Sequence, residues 1–186
     1  MRSLAIDRLL VAALVLAWCV PPVAAKDPSV EGERLEFRLH DLDGNPVGSD
    51  DPRFEGRVLL VDLWGSWCPP CITEIPTFVD LQARYGEAGL LVVAIAFEGA
   101  EEPDERRAIL RRIVEKQEIN YLVLDGGSTD DFEAALPAVE NVRGFPVEIL
   151  VDRTGRVVDC RNGYGYKKRW ARKLERELVE LLGTAD

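Results

Sequence analysis

The chain has 186 residues, with 33 acidic against 23 basic side chains, a formal charge of −10 and 47% hydrophobic residues. Acidity of this size argues against nucleic acid and anionic lipid surfaces as partners, since both would repel it. Arg2, Asp7 and Arg8 net +1 in the first 25 residues, so residues 26–186 carry −11, and their length suits one domain with a single core.

Arg2 and Arg8 precede an apolar run over residues 9–20, and Val23-Ala24-Ala25 supplies small residues of the kind a signal peptidase accepts. Residues 1–25 therefore read as a secretory leader, or as an uncleaved N-terminal anchor, and 26–186 as the folded domain. The apolar run is shorter than the roughly 20 residues that span a bilayer comfortably. Trp18, ahead of Cys19, departs from the small residue that lipoprotein processing prefers. Export places the domain in an oxidising compartment, periplasmic or otherwise extracytoplasmic.

Weak alternation over 34–39 and the turn signal Asp43-Gly44-Asn45-Pro46 predict an N-terminal hairpin. Val58–Trp64 and 90–97 are near-continuous apolar runs, as expected of parallel strands covered on both faces. Residues 72–85 space Ile75, Phe78, Val79 and Leu81 as a helix does, with a kink expected at Pro76. A charged amphipathic helix follows over 104–118, with Ile109, Ile113 and Val114 inward, then a short strand at 121–124. Gly126-Gly127-Ser128 reads as a loop, and 131–141 as a helix that Pro137 disturbs. Val147–Val151 and 156–160 flank the turn Asp152-Arg153-Thr154-Gly155 as an antiparallel pair. Arg161-Asn162-Gly163-Tyr164-Gly165 reads as a loop. Residues 167–182 form a last amphipathic helix with Trp170, Leu174, Leu178 and Leu181 on one face. The order predicts an α/β sandwich around a mixed central sheet.

The chemistry sits in Val61-Asp62-Leu63-Trp64-Gly65-Ser66-Trp67-Cys68-Pro69-Pro70-Cys71, where a strand meets a helix. A helix start offers unpaired N–H groups and the positive end of the helix dipole, which favour a thiolate at Cys68. Cys68 is the candidate nucleophile. Cys71, about one turn on, is close enough to bridge to it and is the candidate resolving thiol. A zinc site would need a second Cys or His pair, and His40, Cys19 and Cys160 are isolated. A purely structural bridge closing so short a loop would stabilise little. Redox exchange is the favoured reading. Cys160 is read as a small buried apolar residue and His40 as a surface one.

The segment 61–71, with its aspartate, aromatic pair and Trp-Cys-Pro-Pro-Cys, resembles the active-site strand and helix start of the thioredoxin superfamily. Val142-Arg143-Gly144-Phe145-Pro146 is similar to the segment that ends in that family's cis-proline. Glu74-Ile75-Pro76 and the upstream Leu39-His40-Asp41-Leu42-Asp43-Gly44-Asn45-Pro46-Val47 resemble the TlpA-like extracytoplasmic disulfide reductases within it. The resemblance implies a thioredoxin-like three-layer sandwich with an N-terminal hairpin and a helix-strand insertion, the latter at 104–124. It implies a cis bond before Pro146 that exposes the backbone of Phe145 to an extended peptide, with Trp67, Pro69 and Pro70 beside it as substrate-contacting surface and Trp64 further inward. Asp62, a carboxylate inside an apolar strand, would lie beneath the disulfide with a raised pKa and take the proton of Cys71. Many TlpA-like proteins carry asparagine there, so Glu74 competes for that role. Phe145 and Val147 stand where relatives often carry threonine. Tyr164 would lie near the active-site face.

The expected reaction is dithiol–disulfide exchange on exported proteins, apocytochromes c among the candidates, without cofactor or metal. A membrane thiol-disulfide donor would recharge a monomeric protein. Two alternatives stay open. A peroxiredoxin-like peroxidase shares the fold, but needs a threonine three residues before its cysteine, where this chain has Gly65. A non-catalytic binding module would keep the disulfide only as a brace.

Overall fold

The computed structural model describes residues 27–30, 34–163 and 168–183, so the leader expected at 1–25 and the loop residue Tyr164 lie outside the described residues. The elements in order are β1 (Ser29–Val30), β2 (Arg38–Asp41), β3 (Pro46–Gly48), β4 (Val58–Trp64), α1 (Pro69–Tyr85), β5 (Leu90–Glu98), α2 (Pro103–Lys116), β6 (Leu122–Ser128), α3 (Phe132–Ala135), β7 (Val139–Glu140), β8 (Val147–Val151), β9 (Val157–Asn162) and α4 (Lys168–Gly183). Seven strands form one sheet in the order β3-β2-β6-β5-β4-β8-β9, while β1 and β7 pair separately. β4 runs parallel to β5, and β5 to β6, whereas β8 and β9 on one side and β2 and β3 on the other are antiparallel.

All seven residues of β4 are buried, which places it at the centre. Its even positions face one layer. There Phe78 and Leu81 of α1 and Leu174 and Leu178 of α4 pack on Val58, Leu60, Val92 and Leu150, and Leu110 of α2 packs with Ala94, Ala96 and Val123. The odd positions Leu59, Val61 and Leu63 face the other layer, which Leu35, Phe37, Phe54, Leu136 and Val139 cover. Hydrophobic burial on both faces is what drives the strand to the middle. The fold is the expected α/β three-layer sandwich with a mixed sheet and an N-terminal hairpin. Its second covering layer is supplied by the N-terminal segment and the short α3 rather than by long helices.

Several boundaries differ from the sequence reading. Gly126-Gly127-Ser128 is not a loop but the end of β6, which runs on past a bulge opposite Ala96 and Phe97. Gly127 has φ +106, and a Cβ on Gly126 would come 2.8 Å from the Phe97 ring, so these glycines are required inside a strand rather than marking its end. The helix expected over 131–141 shrinks to α3, because Leu136 leaves helical geometry just before Pro137 and β7 follows. Arg161 and Asn162 belong to β9. On α2 the deepest side chains are Leu110 and Arg106, with Ile109, Ile113 and Val114 only partly covered. α1 begins at Pro69, inside the cysteine motif, and continues through Pro76. Among the described residues no helix is long and apolar enough to cross a membrane.

Candidate active site

Strand β4 ends at Trp64, and four residues later Cys68 is the N-cap of α1. Pro69 and Pro70 occupy the first two helical positions, where their fixed φ suits the helix and their missing N–H groups cost nothing. The first backbone donor of the helix is therefore Cys71, whose N–H donates to Cys68 Sγ at 3.3 Å. The same bond, together with the helix dipole, stabilises a thiolate at Cys68 once the bridge opens. Cys68 and Cys71 are joined by a disulfide with their Cα atoms 5.3 Å apart. Cys68 is 4% exposed and Cys71 fully buried, so an incoming sulfur reaches Cys68 first.

The loop before Cys68 is fixed from β5. Ser66 donates through its N–H and its hydroxyl to Glu98 at 2.8 and 2.6 Å, and the Trp67 indole donates to the Phe97 carbonyl at 2.9 Å. Held this way, Trp67 stays 52% exposed beside the disulfide, while Trp64 is buried. The Phe145–Pro146 peptide bond is cis. Phe145 lies 5.9 Å from the Trp67 ring, stacks on Phe97 at 5.6 Å, and packs against the cluster that contains both cysteines. Trp67 and Phe145 thus form an apolar rim beside Cys68, with Cys71 buried behind it and Pro69 and Pro70 opening the helix next to it.

Asp62 and Glu74 are both buried on the α1 side of the sheet. Ala94, directly across from Asp62 on β5, packs in the cluster that holds Cys71. Burial, and then the charge of Glu148, push the Asp62 carboxyl well above the usual carboxylate range. Glu148 itself, in β8, is fully buried, and burial raises it to about 7 against the downward pull of Arg161. Sequence reading missed Glu148, Arg161 and Glu98 as members of the site. A signal for Glu148 was present: an acid inside Val147-Glu148-Ile149-Leu150-Val151 is as anomalous as Asp62 in its own strand. Cys160 is half-buried away from the dithiol, packed on the opposite layer. Among the described residues no cluster of three His, Cys, Asp or Glu side chains is arranged to hold a metal ion.

At Gly65 an added Cβ would come 2.5 Å from Trp67 Nε1 and 2.7 Å from the Phe97 carbonyl. A threonine at that position, which peroxidase chemistry needs, is therefore sterically barred.

A dithiol at a helix start, with the residue before a cis-proline packed on its cluster and a thioredoxin-like sheet behind it, defines a thiol-disulfide oxidoreductase. The chain belongs to the Redoxin family, whose model matches residues 24–177. It is 27% identical over 146 residues to the thioredoxin-like protein YneN of Bacillus subtilis, covering 78% of this chain and 79% of that one. It is 26% identical over 128 residues to the thiol-disulfide oxidoreductase ResA of Bacillus cereus, covering 68% of this chain and 66% of that protein, just under two thirds of its length. A thioredoxin-family thiol:disulfide interchange protein of Chlorobium tepidum superposes with a TM-score of 0.61 at 23% identity, over 83% of this chain and 99% of that one, and so shares the fold.

Proposed function

We propose that the protein is an exported disulfide reductase: reduced Cys68 attacks a disulfide in another exported protein, apocytochromes c among the candidate substrates, and Cys71 resolves the mixed disulfide. The observation that carries this reading is the packing of the Cys68–Cys71 bridge against Phe145 at the cis bond to Pro146. This leaves a rim of Trp67 and Phe145 where an extended peptide can lie beside the nucleophile.

In the reaction the Cys68 thiolate forms a bond to one substrate sulfur and the other substrate sulfur leaves. Cys71 then attacks Cys68 Sγ, the mixed disulfide breaks, the Cys68–Cys71 bond forms, and the substrate departs with two electrons. Asp62 is assigned as acceptor of the Cys71 proton, with Glu74 as the second carboxyl able to share it. No cofactor enters the scheme. In an oxidising compartment the dithiol must be regenerated, which calls for a membrane thiol-disulfide donor, and the protein is expected to act as a monomer. Export rests on the reading of residues 1–25 as a leader or anchor.

Titration of the Cys68–Cys71 couple against dithiothreitol and glutathione buffers tests the direction. A midpoint near or below about −270 mV supports a reductant, whereas one near about −120 mV would make it an oxidant.

A further inference from the structure

On the sheet face covered by α1, three neighbouring strands set an acid, an acid and a base in one row. Asp62 of β4 is in direct register with Glu148 of β8, and Glu148 with Arg161 of β9. Side chains directly opposed on antiparallel strands stand about 5 Å apart at Cβ, so the two acids are neighbours on one face, where neither meets water. Glu74 reaches the same spot from α1: a Cβ on Gly163 would lie 3.1 Å from Glu148 Oε1 and from both Glu74 carboxylate oxygens. Tyr121, the residue just before β6, faces the group, and burial with the charges of Asp62 and Glu74 pushes its phenol up. The cation is Arg161, whose Nε donates to Glu148 Oε2 at 3.1 Å and whose Nη1 donates to Asp159 and Glu177 of α4, each at 2.7 Å.

Two like charges this close in a dry site do not both persist. Glu148 Oε1 and Asp62 Oδ1 are both buried without a hydrogen bond among the described residues, but Arg161 donates to Glu148 Oε2 and so sets its cation on Glu148 rather than on Asp62. The arrangement therefore favours, as pH rises through about 7, the first negative charge on Glu148, with the proton left on Asp62. We propose that Glu148, held by Arg161, is a positioning residue for the exchange reaction, its charge keeping Asp62 protonated in the disulfide form and setting the pH at which Asp62 and Cys71 trade a proton. This rests on the exchange chemistry proposed above and adds a group outside the cysteine motif.

In recharging, a donor thiolate bonds to Cys68 Sγ, the Cys68–Cys71 bond breaks, and Cys71 leaves with the electron pair and takes the proton of Asp62; the second thiolate of the dithiol donor then displaces Cys68 as a thiolate, and the donor departs as a disulfide. In the working direction Cys71 returns that proton to the Asp62 carboxylate as its sulfur displaces the substrate from Cys68. The Glu148 charge makes the ionised Asp62 costly, so it favours the proton's return and opposes its departure.

The test is the pH dependence, from pH 5 to 9, of disulfide reduction by the reduced full chain, for the parent, Glu148→Gln and Glu148→Asp. Glu148→Gln is expected to move the inflection to lower pH by about one unit, a tenfold change in proton concentration, while Glu148→Asp, which keeps the charge, stays near the parental profile. A Gln profile that superimposes on the parent, or equal shifts in both variants, overturns the proposal. If Glu148→Gln does not fold, carboxyl NMR titration of the parent decides: Asp62 is expected to titrate at higher pH than Glu148, and the reverse order overturns it. A parent that shows no reversible Cys68–Cys71 couple would instead remove the exchange reading itself, before any variant is compared.

Discussion

Ser66 meets Glu98 twice, its backbone N–H at 2.8 Å and its hydroxyl at 2.6 Å, so one buried carboxylate at the end of β5 holds the turn that leads into Cys68. Glu98 is itself 2% exposed, which means that its two oxygens are answered by these donors rather than by bulk water. Removing the carboxylate leaves Ser66 with two unanswered donors. Glu98→Ala is expected to cost about 2 kcal/mol of stability. It should also raise the alkylation rate of reduced Cys68, because the turn can then swing outward. Denaturant unfolding and timed labelling would measure both; an unchanged labelling rate would deny Glu98 its hold on the turn.

Gly65 is crowded from two sides, by the Trp67 indole and by the Phe97 carbonyl. Gly65→Thr is expected to lose on the order of 1–3 kcal/mol through overpacking and to break the Trp67–Phe97 hydrogen bond. It should gain no reactivity toward hydrogen peroxide. A thermal melt together with a peroxide consumption assay would check this, and a peroxide-active variant would show that the turn can re-form around a side chain.

Stability should depend on pH through Glu148. Its folded value, about 7, lies above its ordinary one because burial outweighs Arg161. The folded state then binds the proton more tightly than the unfolded chain, so the stabilisation is complete below about pH 4.5 and is lost as pH rises through 7. The full span is on the order of 3 kcal/mol, and Asp62, shifted the same way, extends the decline upward. Urea midpoints between pH 4.5 and 8 should fall for the parent and fall less steeply in Glu148→Gln. Parallel curves for the two would contradict the assignment.

Cys160 offers a contrast with the dithiol. Burial, and then the nearby Asp159 charge, push its thiol up to about 12. At pH 8 only about one molecule in ten thousand then carries the thiolate. Alkylation of Cys160 in the oxidised protein should be on the order of a thousandfold slower than that of an ordinary exposed cysteine. Mass spectrometry of the folded and the urea-unfolded protein would compare the two rates, and rapid labelling in the folded form would place Cys160 among the reactive thiols.

Strands β4 and β5 were legible because a run buried on both faces has no need of polar residues, and their limits in the sequence nearly match those in the fold. The hairpin β2–β3 was legible from its turn: Asp41 accepts from the backbone of Asp43 and Asn45, the local bonding that such residues favour. Gly126 and Gly127 misled, because the same residue type that ends a strand also lets a strand pass close under the Phe97 ring. Arg106 was hidden for a related reason. On α2 it looks like one of many surface charges, yet it is buried and paired with Asp125 of β6 at 2.8 Å. The site was legible where chemistry is local in sequence, as in Cys68 and Cys71. Glu98, Glu148 and Arg161 come to it only through strand register, which a linear reading does not contain.

The exposure of Trp67 has a practical consequence. Its indole is pinned to the Phe97 carbonyl next to the Cys68–Cys71 bridge, and Trp64 lies in the same cluster as both sulfurs. A disulfide close to an excited indole drains its emission, whereas two thiols do so far less. The molecule therefore carries a built-in optical gauge of its oxidation state, and opening the bridge should brighten the protein without any dye or label.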